Sequence, residues 1–187
     1  MAQGFKATPR GYTAQFSATE AELLGKLFND VATALTPDEQ PDKDPLAALI
    51  GITENTDMPE DPAVARMLPV ASDDPEVADE YRRYTELSLR QHKIGNLKLA
   101  HMQVQHHNIT LNDEHAQAWA CALNDVRLTL GERLNIHSEE QAEKIGEYTN
   151  NNTVETVEEY MSFVYNFITW LQDTLMEAML SQLPDDN

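Results

Sequence analysis

Three histidines in "HMQVQHHN", His101, His106 and His107, are the residues of this chain whose type points most directly to metal chemistry. Imidazole nitrogens bind zinc, and two histidines that share one helix face stand three or four residues apart. Here the intervals are five and one, and His92 and His115 nearby do not repair the spacing. The cluster therefore reads as a helix end rich in titratable groups, where a cationic imidazole suits the negative end of the helix dipole. No metal and no cofactor are expected.

A second constellation lies in "ALNDVRLTLGERLNI", residues 122 to 136. At helical spacing Trp119, Ala122, Leu123, Val126, Leu130 and Leu134 form an apolar face, with Leu128 widening it. Asn124, Asp125, Arg127 and Arg133 are set into this pattern, with Asp125 and Arg127 expected at its two margins. Polar groups at the edge of a buried stripe need partners, and guanidinium groups suit carboxylates of another helix or a second subunit. The expectation is a polar clamp that fixes helix register, with partner recognition as the sharper alternative. Gly131 is expected to permit close approach by another element.

Two further features carry chemistry. Residues 82 to 107 hold Arg82, Arg83, Arg90, Lys93 and Lys98 against a single acid, Glu86, whereas residues 37 to 80 hold 13 acids and two basic residues. That asymmetry allows a basic interaction face covered by an acidic linker and uncovered by a partner; a plain mixed-charge surface is the simpler reading. The one cysteine, Cys121, excludes an intramolecular disulfide and lies within an apolar helical pattern. A buried, inert thiol is the expectation, and a redox role would require exposure. The chain has no P-loop, no G-x-G-x-x-G, no G-x-S-x-G and no H-E-x-x-H, so an enzyme is not expected.

Charge narrows the classes of partner. With 32 acidic and 13 basic residues the chain carries a net charge of −19, which opposes unaided binding to a phosphate backbone. The opening "MAQGFKATPRGY" lacks an apolar core of the signal-peptide kind, and no stretch reaches the length of about 18 apolar residues that a membrane span needs. A cytoplasmic protein acting on other proteins is expected.

The elements that must position these residues can be read along the chain. Phe5 and Ala7, the turn "TPRG", and the alternation of Tyr12, Ala14 and Phe16 predict a β-hairpin. Ser17 and Glu20 are spaced as a capping box before an apolar helical stripe from Leu23 to Leu35. Seven of the nine prolines then fall between residues 36 and 75. An acidic, proline-rich linker over 37–74 follows, with short helices at the islands "PLAALIGI" and "PAVARML". Asp74 and Pro75 start a helix expected to run to about His106, with a kink at Gly95. A short strand "NITL" over 108–111 precedes Asn112 or Asp113 as cap of the helix that contains residues 122 to 136. "AQFSATEAELL" and "ITLNDEHAQAW" share a strand, cap, helix order, so their strands are candidates to pair. The last helix starts near Thr153 or at "TVEE" and runs to about Leu183. Its stripe of Val157, Met161, Val164, Ile168, Leu171, Leu175 and Met179 is broadened by Tyr160, Phe163, Phe167 and Trp170, so two surfaces are needed to cover it. Phe163, Phe167 and Trp170 are the candidate dimer surface.

Together these predict a mainly α single domain over 1–187: a hairpin plus first helix (1–36), the linker (37–74), and a helical body (75–183). "DDPEVADEYRRYTE", "ITLNDEHAQAWACALNDVRLTLGERLNI", "YNFITWLQDTLMEAML" and the opening "FKATPRGYTAQFSATEAELLGKLF" resemble, in that order along the chain, the actinobacterial family catalogued as domain of unknown function 2017. The resemblance covers the chain apart from the linker. It implies a small, mainly helical cytoplasmic protein, often encoded near the ClpS proteolytic adaptor and linked to oxidative-stress transcription control with a sigma factor. A two-cysteine thiol switch within one chain is ruled out by the single Cys121. The reading is a non-enzymatic regulatory or adaptor protein, a homodimer that engages a sigma factor, RNA polymerase or a proteolytic adaptor without binding nucleic acid directly. The alternative is a small-ligand or enzymatic site between Arg127 and the aromatic terminal helix.

Overall fold

The computed structural model describes residues 2–37, 57–148 and 156–182. Among them are a three-stranded sheet and six helices: β1 (Gln3–Thr8), β2 (Gly11–Gln15), α1 (Ala18–Leu35), α2 (Pro62–Met67), α3 (Pro75–Val104), β3 (Asn108–Leu111), α4 (Asp113–Arg133), α5 (Glu139–Tyr148) and α6 (Val157–Leu180). The fold is mainly α with a small antiparallel sheet, as the hydrophobic periodicities require.

Local chemistry sets most element ends. Gly11 closes the hairpin turn at φ 116°, and a Cβ there would meet the Leu111 carbonyl oxygen at 2.1 Å, so only glycine fits. Ser17 and Glu20 form the reciprocal capping box of α1, and Thr156 and Glu159 form that of α6. The start of α6 is thus the "TVEE" alternative, and Thr153 lies outside the described residues. Asn112 caps α4 by accepting from the His115 amide at 2.8 Å. At its other end α4 closes in a Schellman motif. Asn135 adopts φ 55°, the Ile136 amide donates to the Gly131 carbonyl at 2.8 Å, and the Asn135 amide donates to Glu132 at 3.1 Å. α3 continues through Gly95 without interruption and ends at Val104, two residues short of the expected limit near His106.

The sheet order is β1-β2-β3, all antiparallel, with Tyr12 opposite Leu111 and Ala14 opposite Ile109. The two strands expected to be candidates for pairing do pair, so the helices that follow them, α1 and α4, enter the body from one small sheet. Trp119 on α4 is the centre of the core: Phe5, Phe16 and Phe28 surround it at centroid distances of 5.6, 6.2 and 5.3 Å. Its indole N–H donates to Gln103 Oε1 at 2.7 Å, which satisfies the one polar atom of the ring. α1 packs on α3, and α4 packs on α3, α6 and α2. Of the proline-rich segment, the island "PAVARML" forms α2 and sends Val64, Met67 and Leu68 into the core. The island "PLAALIGI" lies outside the described residues. α5 was not anticipated, although Ser138 and Gln141 carry the spacing of a capping box: the Gln141 amide donates to Ser138 Oγ at 3.3 Å and Gln141 Oε1 accepts from the Ser138 amide at 3.0 Å.

Candidate functional site

The polar residues of α4 separate into inner and outer groups. Asp125, expected at the margin of the apolar face, is fully buried (0% exposed). α3 crosses α4 on that side, so what is marginal on a lone helix becomes interior between two. Lys93 reaches in from α3 and donates to Asp125 Oδ1 at 2.6 Å, while Oδ2 has no hydrogen-bond partner. Burial raises the Asp125 pKa above its ordinary value, outweighing the opposing pull of Lys93 and of the more distant His92. This pair fits the polar clamp expected between helices, with a lysine as its cation rather than Arg127 or Arg133.

The other members lie further out. Arg127 is half-buried and donates to Asn124 Oδ1 at 3.4 Å on its own helix; no carboxylate pairs with it among the described residues. Arg133 pairs with Asp61 Oδ2 at 2.6 Å, and Asp61 also caps α2 by accepting from the Ala63 amide at 2.8 Å. Sequence reasoning missed Arg66, which donates from α2 to the Ile136 carbonyl at 2.8 Å and to Glu132 Oε2 at 3.3 Å. Gly131 is where this close packing occurs, with Arg66 Nη1 and Tyr165 each 3.6 Å from a Cβ position.

The basic residues of α3 do not form one open face. Arg82 and Arg90 both hold Glu86 one turn away, Arg90 also donates to the Leu35 carbonyl at 3.0 Å, and Lys93 is committed to Asp125. Arg82 is itself buried and meets Met58 of the proline-rich segment. Arg83 and Lys98 remain exposed. Cys121 is a correction: it is exposed rather than buried, lying on the side of α4 opposite Trp119 and the aromatic core.

Two of the histidines, His101 and His115, make hydrogen bonds that join neighbouring helices. His101 Nδ1 lies 2.8 Å from the Gly25 carbonyl; a carbonyl only accepts, so Nδ1 carries the proton. His115 Nδ1 accepts from Gln103 Nε2 at 2.8 Å, while His92, His106 and His107 are exposed. An open groove of 440 Å³ runs between α1 and the end of α3, lined by Glu22, Gly25, Lys26, His101 and Gln105 among others. It lies away from the Arg127 region, where the alternative reading expected a ligand site.

Apolar and aromatic side chains stand open to solvent on two helices, at Val77, Tyr81 and Tyr84 on α3 and in a longer run of rings on α6. Val164, Ile168, Leu171 and Leu175 are buried against the body. On the adjoining face Tyr160 (49% exposed), Phe163 (50%) and Trp170 (41%) stand open to solvent, and Phe167 stacks on Trp170 at 6.0 Å. Spaced i, i+3, i+7 and i+10, these four rings form one continuous stripe. One turn further on, Thr174 occupies the same face and is covered by β1: the Phe5 amide donates to Thr174 Oγ1 at 3.1 Å. The stripe is therefore covered at its C-terminal end, while over its first three turns Tyr160, Phe163 and Trp170 are open and Phe167 is partly buried.

No helix among the described residues is long and apolar enough to cross a membrane. Neither a curated protein nor a solved structure matches the chain. A family match spans residues 2–179, from the first strand to the last turn of α6, and the chain belongs to the family described as Domain of unknown function (DUF2017).

Proposed function

We propose that the protein is a non-enzymatic regulatory or adaptor module that acts by binding other proteins through the aromatic stripe of α6. The supporting observation is that stripe: aromatic side chains are costly to leave in water and are enriched at the centres of protein interfaces. Tyr160, Phe163 and Trp170 are placed in this way, beside the partly buried Phe167, on a helix whose adjoining face is anchored in the core. Such a helix offers a rigid surface, so little ordering entropy opposes binding. Self-association through the same stripe is the alternative use of this surface, in keeping with the expected homodimer. The finer assignment, control of oxidative-stress transcription in the cytoplasm together with a sigma factor, RNA polymerase or a proteolytic adaptor, follows the family resemblance. The exposed Cys121 would permit a mixed disulfide in that setting.

The test replaces the endogenous protein by a variant carrying Phe163→Ser and Trp170→Ser, and compares the proteins that co-purify. The expected result is loss of a defined set of partners with circular dichroism unchanged. An identical set from both would refute the reading. A second reading, a small-anion site at Arg127, rests on the donors left open by its single 3.4 Å hydrogen bond. Binding of a small dicarboxylate that Arg127→Ala abolishes would favour it.

A further inference from the structure

We infer that the stripe of α6 takes an amphipathic segment of a partner protein in which apolar side chains are flanked by lysine and arginine. The inference rests on the reading of the stripe as an interface and adds the chemistry of what binds there.

Charge carries the argument. Residues 145–187 contain eight acids and no lysine or arginine. On α6 itself Asp173 and Glu177 are exposed and fall, at 100° per residue, along one edge of the stripe formed by Phe163, Phe167 and Trp170. The apolar strip therefore has an acidic edge on a helix that carries no lysine or arginine of its own. A second copy of the chain would bring two such regions together, each on a body of net charge −19. Like charges juxtaposed across an interface oppose association, and opposite charges steer it. A basic, apolar segment satisfies both halves of the surface: its apolar side chains cover the rings and its cations meet Asp173 and Glu177. The length agrees. From Tyr160 to Trp170 the helix rises about 15 Å, which three turns of a partner helix would match.

The probe is a synthetic helical peptide of about 18 residues with leucine on one face and lysine flanking it, beside a second peptide with glutamate in place of each lysine. Binding is read from tryptophan emission, to which the half-exposed Trp170 responds and the buried Trp119 does not. The lysine peptide is expected to bind saturably, more weakly as salt is raised, and the glutamate peptide not to bind. Phe163→Ser with Phe167→Ser should weaken binding by about tenfold or more. Asp173→Lys with Glu177→Lys should weaken it too, while Glu22→Lys with Asp30→Lys on the distant α1 should leave it unchanged. Circular dichroism verifies that each variant folds.

Equal loss on reversing the α1 acids would overturn the inference, because attraction would then be general to the acidic surface. Equal binding of the two peptides would overturn it as well. A dimer in sedimentation that Phe163→Ser with Phe167→Ser dissolves would show a second copy on the stripe, refuting the basic segment while leaving the stripe an interface. Absence of peptide binding, of self-association and of any partner lost on stripe substitution would refute both.

Discussion

Two regions of this molecule break the rule of apolar inside and polar outside, in opposite senses. Between α3 and α4 a carboxylate, Asp125, is enclosed in the core and met by the partly exposed Lys93. Along α6 a set of aromatic rings is left in water. The enclosed carboxylate is explained by the fold itself, because a hydrogen-bonded ion pair at one position locks two helices in a single register, at a desolvation cost that the remaining core offsets. The open rings are explained by nothing within the described residues. Enclosed polarity here serves structure, and the exposed rings are the surface proposed to meet another protein.

The comparison is tested most severely at the clamp. Lys93→Met would leave Asp125 charged and unpaired in the core, with an expected loss of about 3–5 kcal/mol at neutral pH by denaturant unfolding. The pH dependence has a definite sign. The folded pKa of Asp125 is already raised above its unfolded value, so the folded state takes up a proton more readily than the unfolded one. Its ionised form weighs against folding at neutral pH, and that penalty fades as pH falls through the raised folded pKa and is gone below the ordinary carboxylate value. The deficit of Lys93→Met relative to the unsubstituted protein should therefore shrink on acidification. A deficit that is constant with pH would show that Asp125 is not the group left stranded.

Asp125→Asn should cost less, about 1–2 kcal/mol, since Lys93 can turn toward solvent and only an amide N–H₂ is left unpaired where Oδ2 has no partner. The extra pH dependence should vanish with it, in the same unfolding experiments. On α6, Phe163→Ser with Trp170→Ser should alter stability by under about 1 kcal/mol, because both rings are already near half exposed. A loss as large as that of Lys93→Met would mean that the rings support the fold. Cys121→Ser should be the mildest, within about 0.5 kcal/mol, as befits a thiol on the open side of α4. An unchanged response to peroxide in this variant would remove the thiol from any stress function.

What could be read from the sequence was what neighbours in the chain decide. The hairpin followed from Tyr12, Ala14 and Phe16, and the caps of α1 and α6 from Ser17 with Glu20 and Thr156 with Glu159. The breadth of the apolar pattern on α6 already implied a second surface. The depth of Asp125 was not legible, since it depends on where α3 crosses α4. Arg82, Arg90 and Lys93 read as part of one basic face because sequence shows their spacing and not the direction in which α3 turns them. α5 could have been found from Ser138 and Gln141.

The central claim is that α6 rather than any other exposed surface is where the protein works. A photo-reactive side chain introduced at position 163, and in a parallel sample at position 22 on α1, tests it by cross-linking in intact cells. The account predicts a discrete cross-linked protein from position 163 and none from position 22. Equal labelling from both, or labelling from position 22 alone, would contradict it.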